Sequence, residues 1–114
     1  MSIINDEQIA LLQDIVDLVE DDWESIGLNV EIDEVDGDLV ISPSCYYSIG
    51  DKRNRFKLSA DVCDSLESLR STHKSVNKDN TAWTICDIKI ADDGNYSYEF
   101  SYNTPPRISK LRST

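Results

Sequence analysis

The chain has 114 residues, a length typical of one compact domain, and carries 22 Asp and Glu against 11 Lys and Arg, a formal net charge of -11. This charge disfavours nucleic acid and anionic membranes as direct partners. Residues 1–51 hold 14 acids and no Lys or Arg, whereas the remainder holds 8 acids and 11 bases. Such an unbroken acidic half favours a binding surface over charge that only keeps the protein in solution.

The N-terminus has no basic segment followed by an apolar run, and no later apolar stretch approaches the ~18 residues of a membrane span. We therefore expect a cytoplasmic protein. Cys45, Cys63 and Cys86 form no Cys-x-x-Cys pair, and no histidine lies near enough in sequence to complete a zinc set. The cysteines are expected to be reduced, partly buried thiols, and neither a metal nor a cofactor is expected.

The acidic half begins with a predicted helix from about Asn5 to Ile26, with Asn5 as its N-cap and Gly27 as its stop. Apolar residues recur at spacings of three and four, which places them on one buried stripe. The stripe consists of Ile9, Leu12, Ile15, Val16, Val19, Trp23 and Ile26. Leu28, Val30 and Ile32 then alternate with polar residues, the period of a half-buried strand whose outer face is acidic.

Asp36-Gly37 predicts a tight hairpin turn, followed by a strand from Asp38 to Ser42 that Pro43 ends or interrupts. Tyr46, Tyr47 and Ile49 are predicted to extend a strand past a bulge, and Gly50-Asp51 marks a turn. Over residues 52–58 the basic side chains interleave with Phe56 and Leu58, a pattern that suits an exposed strand with bases on its outer face.

Ser59 caps a second predicted helix that runs to about His73 and is followed by a polar loop over residues 75–81. A strand is predicted over residues 82–91, then a hairpin turn at residues 92–95. The last strand alternates aromatic residues with Ser and Glu, and we expect its aromatic side to pack under the helices. These aromatic residues are Tyr96, Tyr98, Phe100 and Tyr102.

The element order predicts an α+β fold, an antiparallel sheet of four or five strands with two helices packed on one face and the opposite face free. The whole chain, residues 1–114, is expected to form one domain. Pro105-Pro106 stops the sheet, and residues 103–114 are a basic tail that either pairs with the acidic half or is flexible.

The sequence offers little for catalysis. Its one histidine, His73, falls near a predicted helix end, and no nucleophile, nucleotide-binding or metal motif is present. Acid pairs such as Asp21-Asp22 and Asp92-Asp93 could serve a glycosidase or bind calcium, but they also arise by chance among 22 acids. An enzyme is not expected.

Two Trp-containing segments carry a family resemblance. A Trp at the end of the first predicted helix, Trp23, precedes a strand, and Trp83 opens a strand that leads through Asp93-Gly94 to Phe100 and Tyr102. In this order the chain resembles the YezG-like immunity and antitoxin family, although polar Asn95 directly after the turn glycine departs from its pattern. The resemblance implies a cytoplasmic immunity protein that binds the toxic C-terminal domain of a polymorphic or contact-dependent growth inhibition toxin, commonly a nuclease.

The acidic surface agrees with a basic nuclease as the partner, with this chain a monomer or weak dimer when free. Residues predicted to face outward form the candidate contact set, with two tyrosines as anchors. The set consists of Asp14, Asp17, Asp21, Glu31, Asp33, Asp36, Asp38, Tyr46 and Tyr47. The alternatives are an acidic adaptor or nucleic-acid mimic that regulates basic cellular proteins, and a small enzyme that uses an acid pair in a pocket.

Overall fold

The computed structural model describes residues 3–112. They form three helices and five strands, in the order α1 (Ile3–Leu18), β1 (Ser25–Val35), β2 (Asp38–Ile49), β3 (Lys52–Arg55), α2 (Ala60–Val76), β4 (Ile85–Ala91), β5 (Tyr96–Ser101) and α3 (Pro106–Arg112). None of the described helices is long and apolar enough to cross a membrane.

The five strands form one antiparallel sheet in the order β3-β2-β1-β4-β5. Its centre is β1, which pairs with β2 along its whole length and with β4 over residues 25–31. Helices α1 and α2 contact each other and cover one face of the sheet. The predicted α+β fold, with two helices on one face, is confirmed.

The hydrophobic core lies between these two helices and the sheet. Alternate residues of the central strands, Ile26, Leu28 and Ile32 in β1 and Ile88 in β4, point into it. The helices contribute buried residues that include Leu11, Leu12, Ile15, Val62, Leu66 and Leu69. Burial of this apolar surface is the main force that holds the helices against the sheet.

Helix α1 is shorter than predicted, because it ends at Leu18 rather than Ile26. Asn5 lies inside it and is no N-cap, while Gly27 is a residue of β1 and no helix stop. Trp23 lies in the connecting loop. Ile26 fits both the three-and-four spacing of the apolar residues in α1 and the every-second-residue alternation of β1. It belongs to the sheet because it pairs with β2 on one side and with β4 on the other.

Strand β2 is longer than predicted, since it passes through Pro43 and continues to Ile49. The turn before it is as predicted, with positive φ at Asp36 (54°) and Gly37 (87°). Proline is tolerated because β3 pairs only with residues 46–49 of β2, so Pro43 lies where the outer edge of β2 has no strand beside it in the described structure.

Ser59 caps α2 as predicted, and its hydroxyl accepts a hydrogen bond from the Val62 amide at 3.2 Å. The aromatic side of β5 also faces the helices as predicted: Tyr98 and Phe100 pack against the core, and the Phe100 ring lies edge-on to His73 at 4.5 Å between ring centroids. Tyr96 and Tyr102, at either end, are 46% and 54% exposed.

The C-terminal tail differs most from expectation. Residues 106–112 form α3, which contacts β1 and β2, and Ile108 is completely buried there. Arg107 donates to Ser42 and Asn29 and pairs with Glu31, residues that alternate with the core residues of these strands. Helix α3 therefore covers part of the sheet face opposite α1 and α2, which was expected to be free, and its Arg107 pairs with Glu31 of the acidic half.

Candidate protein-interaction site

The predicted acidic contact residues do not form one surface. Asp36 and Asp38 are exposed at the β1–β2 turn, beside half-buried Asp33, whereas Asp21 lies in the loop before β1. These groups lie at opposite ends of β1, whose 11 residues span roughly 33 Å. Asp14 and Asp17 are exposed on α1, on the same side of the sheet as Asp21.

Glu31 is not a surface residue, and the prediction that it points to solvent is wrong. Its side chain alternates away from the helices as expected, but α3 covers it and leaves it 1% exposed. One carboxylate oxygen, Oε1, accepts the backbone amides of Arg107 at 2.8 Å and Ile108 at 3.1 Å. The other lies 3.2 Å from the Arg107 guanidinium. Glu31 thus anchors α3 to the sheet, where a partner cannot reach it.

The two tyrosines proposed as anchors lie on opposite faces of the sheet, because they are neighbours in β2. Tyr46 covers Gly27, its partner in β1, so closely that any larger residue at position 27 would collide with the ring. The Arg53 guanidinium lies over this ring, 4.1 Å from its centroid. Tyr46 therefore has a packing role in the folded chain.

Tyr47 and Asp21 are brought together by the fold. The Tyr47 hydroxyl donates to the Asp21 carboxylate at 2.7 Å, and this hydrogen bond is the main cause of the raised pKa of Tyr47. The bond is exposed and links the loop after α1 to β2. These two candidates form one local surface.

Glu24 fixes the loop between α1 and β1 at this end of the sheet. Its carboxylate accepts the Gly50 amide at 2.7 Å, and its carbonyl accepts the Asp92 amide at 3.0 Å. The loop is therefore held between the β2–β3 and β4–β5 turns, and exposed acids of all three segments collect here. We call this group the acidic end, and it consists of Glu20, Asp21, Asp22, Asp51, Asp92 and Asp93.

Next to the acidic end, an open groove of about 660 Å³ runs between α1 and the β4–β5 turn. Its wall is largely apolar, and Asp17 and Asp92 lie in its lining. The large apolar lining residues are Ile9, Leu12, Val16, Trp23, Ile90 and Tyr96. Ile9 is 41% exposed and Tyr96 46% exposed, so the groove presents large apolar side chains to solvent beside the carboxylates of Asp17 and Asp92.

Most of this groove was missed by reasoning from the sequence. The sequence predicts Ile9 and Trp23 in a buried stripe, Tyr96 in the core, and Asp92 in a hairpin turn, and none of them in a binding groove. One signal was available in the apolar rows of α1. Leu11, which is not part of the predicted stripe, is buried together with Leu12 and Ile15. The apolar side of α1 is therefore wider than the part that packs against the core, and Ile9, at the edge of this side, remains exposed.

Apart from Tyr47, the groups with shifted pKa values lie in or near the core rather than in the groove. Burial raises the pKa of the Cys45 thiol to about 11 and also raises the pKa of the Cys63 and Cys86 thiols. Burial lowers the pKa of His73, although nearby Glu7 opposes the effect. The thiols are therefore protonated at neutral pH, a weakly nucleophilic state. Within residues 3–112, no cluster of three or more His, Cys, Asp or Glu side chains could hold a metal ion.

No protein-family model matches the chain. No curated protein sequence matches it either.

Proposed function

We propose that this chain is an immunity protein that binds and neutralises a cognate toxin domain, a basic nuclease, in the cytoplasm. The observation that carries the proposal is the groove beside the acidic end, where exposed apolar side chains lie among carboxylates. The occupant we propose is an apolar side chain of the toxin domain, flanked by Lys or Arg residues.

The charges support a basic partner. Asp17 and Asp92 lie in the groove itself, and the adjoining acids extend the negative potential beyond it. A domain that cleaves nucleic acid presents basic residues to phosphates, so an acidic surface of this kind is attracted to it over long range and competes with its substrate. Attraction of this kind raises the association rate more than it lowers the dissociation rate.

The apolar wall supports tight binding. Protection of a cell from its own toxin requires a Kd of nanomolar order, about -12 kcal/mol, which solvent-exposed charge pairs do not provide. Ile9, Trp23 and Tyr96 offer large side chains that a partner could cover, and interface energy concentrates on such residues. The groove thus combines the two features that the proposed function needs.

The identity of the partner rests on the resemblance to the YezG-like immunity family, which is itself part of the proposal. Trp23 precedes β1 and Trp83 precedes β4, but Trp23 lies in the loop after α1 rather than in the helix itself. Trp83 is fully buried, whereas Trp23 lines the groove, so the two residues have different roles in this chain.

The test is co-expression with the C-terminal domain encoded by the open reading frame immediately upstream. We expect the upstream domain to kill alone, and cells to survive and both proteins to co-purify when this chain is present. A toxic domain that still kills, with no complex formed, would contradict the proposal for that pair. A harmless upstream domain, with this chain captured on several unrelated basic proteins, would instead support the adaptor.

A further inference from the structure

Three of the strand edges that the sheet exposes within the described residues belong to β2, β3 and β5, and the first two carry features that prevent another strand from pairing. Residues 38–44 of β2 include Pro43, which has no amide hydrogen to donate. Strand β3 is four residues long and has three exposed cationic side chains, Lys52, Arg53 and Arg55. Short, charged edges and proline are the usual protection against pairing between chains.

The third edge, β5, has less of this protection. It is six residues long, contains no Pro, Lys or Arg, and has one charged residue, Glu99. It is the last strand of the sheet, so one side of its backbone has no neighbouring strand within the described residues. Its sequence alternates aromatic and small or acidic residues, a pattern that favours the extended conformation.

The register shows which backbone groups this edge presents. The Ala91 amide donates to the Asn95 carbonyl at 2.8 Å, which makes these residues a hydrogen-bonded pair of the β4–β5 hairpin. Such pairs recur at every second position of an antiparallel ladder, so Ser97, Glu99 and Ser101 direct their amides and carbonyls toward β4. Tyr96, Tyr98 and Phe100 direct theirs outward, to the open edge.

We propose that β5 is a docking edge that takes an extended segment of the partner protein as a sixth strand. The segment alternates apolar and basic residues. Its apolar side chains lie beside Tyr96, Tyr98 and Phe100 on the helix-covered side, and its Lys or Arg residues lie on the other side beside Glu99. Backbone hydrogen bonds to the outward groups provide the pairing, and the side chains set the register.

A second copy of this chain is a poorer occupant than a basic segment. Each copy carries a formal charge of -11, and two-fold pairing of β5 would place Glu99 of both copies close together near the middle of the new ladder. Like charges at such positions destabilise a sheet. A basic strand reverses the sign of this interaction.

This inference deepens the proposed function, because the edge is continuous with the groove. Tyr96 is the first residue of β5 and also lines the groove, and Asp92 lies in the turn that leads into the strand. A partner that places an apolar side chain in the groove can therefore continue along β5. The pairing is testable with a defined peptide, without the toxin.

The probe is a nine-residue peptide of alternating Val and Lys, blocked at both ends, added to the full chain while amide hydrogen exchange is followed by NMR. At a peptide concentration of ten times its Kd, we expect the amides of Tyr96, Tyr98 and Phe100 to exchange about tenfold more slowly. The amides of Ser97 and Glu99 should change little, because β4 already binds them. This alternation distinguishes strand pairing from binding through charge alone.

Two controls complete the test. The same peptide with alternate backbone nitrogens methylated cannot pair with a strand, so it should not slow exchange at these amides. The variant Glu99→Lys should weaken binding of the basic peptide and strengthen binding of a peptide with Glu in place of Lys. Three outcomes would each overturn the inference. They are failure of the peptide to bind, binding without the alternating protection, and the same protection arising from self-association of the free chain. The groove variant Asp17→Lys/Asp92→Lys should keep the alternating protection, so failure of the groove proposal can be recognised separately.

Discussion

Removal of the Arg107 side chain should destabilise the fold strongly, because this residue holds the C-terminal helix over a buried carboxylate. Its guanidinium donates to Asn29 and Ser42 through four hydrogen bonds of 2.7–3.0 Å and lies 3.2 Å from Glu31, which is 1% exposed. Loss of one partner from a buried ion pair costs about 3–5 kcal/mol, since the other charge is left without compensation. The Arg107 side chain is 38% exposed, so water replaces part of the loss, and about 3 kcal/mol is expected for Arg107→Ala.

Urea unfolding followed by Trp fluorescence measures this change. With a urea dependence of about 1–3 kcal/mol per molar, the midpoint should fall by roughly 1–3 M. Glu31→Gln keeps an oxygen for the amides of Arg107 and Ile108 and should cost less, about 1–2 kcal/mol. The double variant Arg107→Met/Glu31→Gln should cost less than the sum of the single changes. A loss below about 0.5 kcal/mol for Arg107→Ala would refute the reasoning, because it would mean that Arg107 does not fasten α3 to the sheet.

Three further predictions concern packing and ionisation. Gly27→Ala should destabilise the fold by about 1 kcal/mol, because the added Cβ would displace the Tyr46 ring. The same change in a Tyr46→Ser background should cost less. Equal costs of the two changes, measured by urea unfolding, would show that the ring is not the obstacle. The pKa of His73 is lower in the folded chain than in the unfolded one, so its contribution to stability should be present above about pH 6.5 and be lost as pH falls through the folded pKa. The variant His73→Gln should therefore make the urea midpoint less sensitive to acid. An unchanged pH profile in this variant would contradict the prediction. A thiol reagent should label partly exposed Cys63 in the native protein well before buried Cys86, and simultaneous labelling would contradict the burial of Cys86.

Much of the fold could be predicted because local signals and packing agree. The Asp36-Gly37 turn, the Ser59 cap and the aromatic alternation of β5 each depend on a few neighbouring residues, and each occurs where expected. The end of α1 could not be placed in this way. Trp23 and Ile26 continue the helical spacing of α1 while Ile26 also begins the alternation of β1, and only pairing with β2 and β4 decides between the two periods.

The candidate site was less predictable because it depends on contacts between distant segments. The alternation of β1 correctly placed Glu31 on the face away from the helices, but nothing local indicates that residues 106–112 return to cover that face. The acidic end likewise requires Glu24 to join two turns, at Gly50 and Asp92, that lie far apart in sequence. The excess of acids in the first half of the sequence indicates that an acidic surface exists. Only the tertiary structure determines which of these acids lie together on it.

The most direct test of the proposed function compares two variants with the same change of charge. Asp17→Lys/Asp92→Lys alters the groove, whereas Asp36→Lys/Asp38→Lys alters the exposed acids at the far end of β1. Binding of each variant to the purified toxin domain should be measured at two salt concentrations. We expect the groove variant to associate on the order of tenfold more slowly and with weaker salt dependence, while the control stays close to the wild-type rate. Equal effects of the two variants, or a larger effect of the control, would contradict the proposal that the groove is the binding site.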